Sequence, residues 1–289
     1  MAKLDPETEN NIEELIRAAE AGNAAAQCNL AWSYDEGDGV EVDHEKAFYW
    51  YTRSAEAGDA TGQFNLAMCY ELGTGTEIDC KKAFYWYEKA AEQDDQHAIC
   101  QLGIFYEEGI GCDPDPVKAV ELYRKAGEMG NSLAVNRLGY CCEEGIGTEK
   151  NPALAVDFYK IAAAAGLVSA QFNLARCYDN AIGTRKNMRL AAKYYMLAAE
   201  QGDAESQCNL GVCYADGTGV KQDHTAAVKW YKLAAAQDDA IALYNLGEAY
   251  RLGFGVQKCH DKAHEYYQRA ADLGYPKARK VLKKMESGE

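Results

Sequence analysis

Proline is scarce in this chain, five in 289 residues, so few positions along it forbid a helix. That scarcity excludes collagen-like and proline-rich low-complexity readings. Basic residues are also in the minority: 30 Lys and Arg against 45 Asp and Glu leave a net charge of -15. No basic stretch dominates, so a phosphate backbone finds no counter-charge and nucleic acid is not an expected partner. No apolar run approaches the roughly 18–20 residues that a bilayer-spanning helix requires, so no membrane partner is expected. Residues 1–10 read MAKLDPETEN and lack the apolar core of a secretory leader. The expected setting is cytoplasmic.

Cysteine is present, eleven residues of it, but the odd count and the missing leader argue against a disulfide frame. Reduced cysteine packs as a small hydrophobe, and the thiols are expected to be reduced.

Self-similarity dominates everything else. Leu30, Leu66, Leu102, Leu138, Leu174, Leu210 and Leu246 recur at an unbroken spacing of 36. Four residues after each leucine stands a tyrosine, except for Cys142; nine after it stands a glycine, from Gly39 to Gly255. Seventeen after it comes alanine (Ala47 to Ala263), and twenty-one after it tyrosine (Tyr51 to Tyr267). Seven repeats follow: 24–59, 60–95, 96–131, 132–167, 168–203, 204–239 and 240–275.

Each repeat reads as two helices. The first starts at an Asp or Asn cap (Asn23, Asp59, Asp95, Asn131, Asp203, Asp239). Its leucine and tyrosine, four apart, share one face, and a Gly-x-Gly ends it. The second helix has caps at Asp43, Asp79, Asp115, Asn151, Asn187 and Asp223, two of them followed by Pro116 and Pro152 at the first helical position. Residues 8–21 and 276–286 read as capping helices, within flanking segments 1–23 and 276–289. Helix pairs that each cover their neighbour form an all-α solenoid of helix-turn-helix repeats with helical caps.

These columns resemble the SEL-one-like repeat (SLR) family, a relative of tetratricopeptide arrays. The residues that carry the resemblance are Gln207-Cys208-Asn209-Leu210-Gly211 with Tyr214, Gly217-Thr218-Gly219-Val220, and Ala227 with Trp230-Tyr231 and Ala234-Ala235. The resemblance implies a right-handed superhelix and a non-enzymatic adaptor or scaffold role, without a fixed ligand or cofactor. A cysteine-rich branch of the family, linked to β-lactam binding or hydrolysis, bridges cysteines eight apart. Here those positions hold Ala55 and Gln63, or Ala91 and Ile99, so these bridges cannot form.

A β-lactamase-like hydrolase remains the alternative that the family suggests, but none of the six serines begins a Ser-x-x-Lys. A thiol or zinc sensor is a third reading. Cys259-His260 with His264 one turn on is its metal candidate, although His264 also falls in the column of Phe48, Phe84 and Val120. No metal is assigned. Cys141, Cys177 and Cys213 lie on neighbouring helices about 8–10 Å apart, beyond the roughly 7 Å Cα limit of a disulfide, and read as core filler. Cys28, Cys100 and Cys208 occupy a column expected to be partly exposed.

The binding reading rests on the first helices, whose half opposite leucine lines the concave surface in tetratricopeptide relatives. The column before leucine reads Asn29, Asn65, Gln101, Arg137, Asn173, Asn209, Asn245, and amides both donate to and accept from an extended peptide backbone. The same amides are equally suited to bonding a neighbouring helix. A second column carries Trp32, Met68, Ile104 and Tyr140, and a third carries Phe64, Phe172 and Tyr244; both suit either partner contact or repeat packing. Acids crowd the ends of these helices, with Glu36, Glu108 and Glu144 proposed as an acidic rim beside Asp35, Glu107 and Glu143. The expected partner is a protein or extended peptide of basic character, bound by a monomer.

Overall fold

The computed structural model describes residues 6–287, and every regular element among them is a helix. In chain order they are α1 (Pro6–Glu20), α2 (Ala24–Glu36), α3 (His44–Glu56), α4 (Ala60–Leu72), α5 (Cys80–Ala91) and α6 (Gln96–Glu108). There follow α7 (Pro116–Glu128), α8 (Ser132–Glu144), α9 (Pro152–Ala164), α10 (Val168–Asn180) and α11 (Met188–Glu200). The last are α12 (Ala204–Asp216), α13 (His224–Ala235), α14 (Ala240–Leu252), α15 (His260–Asp272) and α16 (Pro276–Ser287). Even-numbered helices from α2 to α14 are the first helices of the repeats, and odd-numbered ones from α3 to α15 the second. Residues 1–5 and 288–289, at the outer ends of the expected capping segments, lie outside the described residues.

The chain divides into two compact units, Met1–Lys150 and Asn151–Glu289, parted between the two helices of the fourth repeat. In the first unit Leu30, Leu66, Leu102, Leu138, Ala47, Ala83, Ala119 and the rings of Tyr51, Tyr87 and Tyr123 are buried. In the second, Leu174, Leu210, Leu246 and the rings of Tyr159, Tyr195, Tyr231 and Tyr267 take the same places. Alanine seventeen residues after leucine lets the second helix come close to the first. Beside the leucine, Gly103 makes room for a ring: a Cβ there would lie 2.5 Å from Tyr123 Cε1.

Local signals set the helix ends. Asp59 accepts from the Gly62 N–H at 2.7 Å and Asp79 from the Lys82 N–H at 3.1 Å, each satisfying an otherwise open donor of the first turn. Leu167 and Cys259 stand at the corresponding places of α10 and α15 without a side-chain cap. The glycine nine residues past leucine has two reasons to be glycine. Gly219 has φ +78, and a Cβ on it would lie 2.0 Å from the carbonyl oxygen of Met188, at the start of the preceding repeat's second helix. Gly75 meets the His44 carbonyl oxygen at the same 2.0 Å in the first unit. The column is thus a backbone-to-backbone contact that sets how one repeat seats on the previous one.

The first helices are packed on several sides: α2 touches α1, α3 and α4, and α12 touches α11, α13 and α14. That corrects one expectation. Cys28, Cys100 and Cys208, expected to be partly exposed, are buried at 5%, 1% and 3% exposure. A single core direction taken from leucine fails for a helix flanked by its neighbours' first helices as well as by second helices. The same column holds Phe64, Phe172 and Tyr244, and it too is packing: Phe64 lies 5.6 Å from the Tyr87 ring, and Tyr244 lies 5.6 Å from Tyr267.

All eleven cysteines are free thiols. Where the cysteine-rich branch has a bridge, Gln63 Nε2 donates to the Ala55 carbonyl at 3.3 Å, and Gln207 Nε2 to the Ala199 carbonyl at 3.1 Å. A buried amide closes the end of the preceding helix in place of a disulfide. Burial pushes the thiols of Cys69, Cys100 and Cys141 up to about 12, far from reactive thiolate. Only Cys80, Cys112 and Cys259 are half-buried. Thiol titration of the folded protein is therefore expected to label three cysteines readily and the other eight only on unfolding. Fast labelling of more than three would overturn the burial assignment.

Candidate binding face of the first helices

The exposed part of the first helices is narrower than the sequence pattern suggests. Trp32, Met68 and Tyr140 are 49%, 36% and 40% exposed and Ile104 is half-buried, all in one column. The amide column beside them is half-buried except for exposed Asn29. In the first unit its members turn toward the preceding repeat. Asn65 Nδ2 donates to Cys28 Sγ at 3.7 Å, Gln101 Nε2 to Glu71 Oε2 at 3.5 Å, and Arg137 Nη1 lies 3.8 Å from Glu107 Oε2. In the second unit Asn173 is also engaged, whereas Asn209 and Asn245 have no partner among the described residues. Neighbour bonding thus accounts for Asn65, Gln101 and Arg137, leaving free amides at Asn209 and Asn245.

The acidic pairs split in the same way. Glu36, Glu108 and Glu144 are exposed, but the neighbours of the last two turn inward: the Glu107 side chain is 10% exposed and Glu143 is buried. The buried tyrosine of the second helix explains why. Tyr87 Oη donates to Glu71 Oε2 at 2.5 Å, Tyr123 Oη to Glu107 Oε2 at 2.5 Å, and Tyr195 Oη to Asp179 Oδ2 at 3.4 Å. Burial first, and then the acceptor carboxylate, push the Tyr87 and Tyr123 hydroxyls far above their usual range, so they remain protonated donors. In the last repeat Arg251 stands where the acid was, and Tyr267 Oη and Arg251 both bond Glu248. Against the opposing cost of burial, Arg251 and Tyr267 hold the Glu248 carboxyl below its usual value.

This tyrosine–acid link was missed in the sequence, although its signal is there. An acid five residues after leucine accompanies the tyrosine sixteen residues later in five of the seven repeats, with Ala215 and Arg251 as the departures. The link joins the two helices of a repeat, and the next repeat's amide or guanidinium then docks on the same carboxylate.

Two cavities open beside these columns, one in each unit. About 360 Å³ lies among Phe64, Met68, His97, Cys100, Gln101 and Leu133. About 440 Å³ lies in the second unit, lined by Val212, Asn245 and Glu248 among others. Among the described residues no group of three or more His, Cys, Asp or Glu side chains is placed to hold a metal, and His260 and His264 are exposed. No helix among them is long and apolar enough to cross a membrane.

Comparisons with known proteins agree with this architecture. The Sel1 repeat pattern matches residues 24–59, 60–95, 96–131, 132–167, 168–203, 204–239 and 240–275. No curated protein sequence matches significantly. Among solved structures, a protective antigen of uropathogenic Escherichia coli with an SLR fold is 32% identical, with a TM-score of 0.79 over 95% of this chain. The chain spans 59% of that protein's length. A Sel1 repeat protein from Oxalobacter formigenes is 30% identical, with a TM-score of 0.75 over 98% of this chain and 82% of its own. Yeast Tom70, at 14% identity and a TM-score of 0.52 over 99% of this chain and 61% of its own, shares the fold alone. Solenoids of this kind generally serve as protein–protein interaction scaffolds and are typically non-enzymatic. With seven matched repeats across most of its length, the chain belongs to the Sel1 repeat family.

Proposed function

We propose that this protein is a non-enzymatic adaptor that binds an extended, basic protein segment along the face of its first helices, the face that is concave in tetratricopeptide relatives. One observation carries the reading: Trp32, Met68 and Tyr140 are exposed in a single column, where a helix packed on several sides has little else to show solvent. Large apolar side chains presented in register are typical anchors of protein interfaces. Glu36, Glu108 and Glu144 stand exposed at the ends of the same helices and supply the preference for basic partners. Because opposite charge mainly accelerates encounter, binding weakens as salt screens it. We further propose that the protein acts as a monomer in the cytoplasm, where its eleven thiols would stay reduced.

The test is a titration with a partner identified by crosslinking and capture, at low and high salt. Trp32→Ala is expected to weaken binding by about 2 kcal/mol, the scale of an interface anchor. Reversing Glu108 and Glu144 to Lys is expected to flatten the salt dependence and shift preference away from basic segments. A partner whose affinity ignores both sets, while substitutions on the second helices abolish binding, would sink the reading.

A further inference from the structure

The tyrosine–acid link is interrupted at the sixth repeat. Ala215 of α12 stands where five other repeats carry Asp or Glu, and Tyr231 of α13, only 5% exposed, therefore has no hydrogen-bond partner among the described residues. The ring is buried, while the hydroxyl at its tip keeps contact with solvent in place of a carboxylate. The volume vacated by the missing carboxylate is open: Ala215 and Tyr231 both line the cavity of about 440 Å³. The first repeat provides a comparison. There Asp35 turns to His44 at 2.7 Å, and the cavity beside Tyr51 holds only about 60 Å³. Loss of the link alone does not make a pocket; loss of the side chain does.

The lining has two parts. Val212, Ala215 and Val228 give an apolar floor, and Phe254, 49% exposed and stacked on His224 at 4.9 Å, gives an aromatic wall. The polar part is rich in acceptors: the Tyr231 hydroxyl, the unpartnered Asn245 amide, and the carboxylates of Asp216 and Glu248. Glu248 is balanced by Arg251 at 2.5 Å, whereas Asp216 has no ion pair or hydrogen bond among the described residues. The balance left over is negative, in a chain whose net charge is -15. An anionic guest would meet both carboxylates, while an alkyl chain ending in a cation matches floor, wall and charge together. The chain uses the same pairing itself: Lys118 Nζ lies over the Tyr106 ring and donates to its hydroxyl.

We propose that this cavity receives one lysine or arginine side chain of the bound protein, its stem on Val212, Ala215 and Val228 and its charged head among the oxygens of Tyr231, Asn245, Asp216 and Glu248. The proposal rests on the reading that the first-helix face binds a protein, and it places the selective step in the sixth and seventh repeats.

The test uses three four-carbon probes on the full chain, n-butylammonium, butyramide and butyrate, followed by the methyl resonances of Val212, Ala215 and Val228. n-Butylammonium is expected to shift these signals saturably, butyramide to bind at least tenfold more weakly, and butyrate not to bind. Ala215→Glu restores the residue type found in five other repeats, closes the link to Tyr231, and is expected to abolish the response with the helical circular dichroism unchanged. Equal or tighter binding of butyramide or butyrate, no response to n-butylammonium, or an unaltered response in folded Ala215→Glu would each overturn the proposal. Should that variant lose its fold, the ranking of the three probes on the unsubstituted protein decides alone. The probes need no partner, so a partner that ignores Trp32 and Glu108 defeats only the broader reading. Silent pocket methyls beside a partner sensitive to Trp32 defeat only this one.

Discussion

Gly219→Ala is expected to destabilise the protein by more than about 3 kcal/mol, among the largest effects a single methyl can have here. Two costs combine. The backbone at φ +78 is disfavoured for any residue with a Cβ, at about 1–2 kcal/mol. The new Cβ would also lie 2.0 Å from the Met188 carbonyl oxygen, part of a helix backbone that cannot swing aside as a side chain would. Gly202 separates the two costs within the same unit. It has φ +99 with nothing within 4 Å of its Cβ position, so Gly202→Ala is expected to cost only the conformational part, about 1–2 kcal/mol. Denaturant unfolding followed by helical circular dichroism checks both. Equal losses would mean that the repeats reseat freely and that close approach contributes nothing.

Tyr123→Ala is expected to cost about 3–5 kcal/mol, since its ring is fully buried and fills the space that Gly103 leaves for it. Tyr123→Phe isolates the hydroxyl. It keeps the ring and leaves Glu107, whose side chain is 10% exposed, without its 2.5 Å donor; the expected loss is about 1–3 kcal/mol. Tyr85, half-exposed on the neighbouring second helix, is the control: Tyr85→Ala is expected to change stability by about 0.5 kcal/mol or less. A neutral Tyr123→Phe would show that Arg137 alone satisfies Glu107 and that the link does not hold the helix pair together.

The fold was legible because its causes are local and repeated seven times. Leu210, Gly219, Ala227 and Tyr231 each stand at a fixed place in the period, and caps such as Asp203 and Asp223 mark where helices begin. The binding face was less legible, for a physical reason. A helical wheel assumes one buried direction, whereas the first helices are buried by neighbours on several sides, so Cys28 and Phe64 looked outward and are packed. The amide column was ambiguous because an Asn side chain bonds a ligand backbone and a neighbouring helix with the same atoms; only the positions of Cys28, Glu71 and Glu107 separate Asn65, Gln101 and Arg137 from Asn209 and Asn245. The inward acids were read as part of a rim because the pairing partner, a tyrosine sixteen residues on, is visible only when two columns are compared at once. Ala215 stood in plain view as the gap in that comparison.

The contacts that seat one repeat on the next are short in sequence. Asn65 reaches back 37 residues to Cys28, Gln93 reaches 35 to the Gly58 carbonyl, and Gln237 reaches 35 to the Gly202 carbonyl. Chains whose contacts are this near along the sequence have low contact order and fold fast, because little loop entropy is lost before a contact forms. On the ribosome, a repeat can complete its seat as soon as its successor emerges, long before the far end has been synthesised. Assembly then proceeds in the direction of translation, and the vacant slot beside Tyr231, which needs the seventh repeat's α14 to close its far side, is among the last of the features described above to take shape.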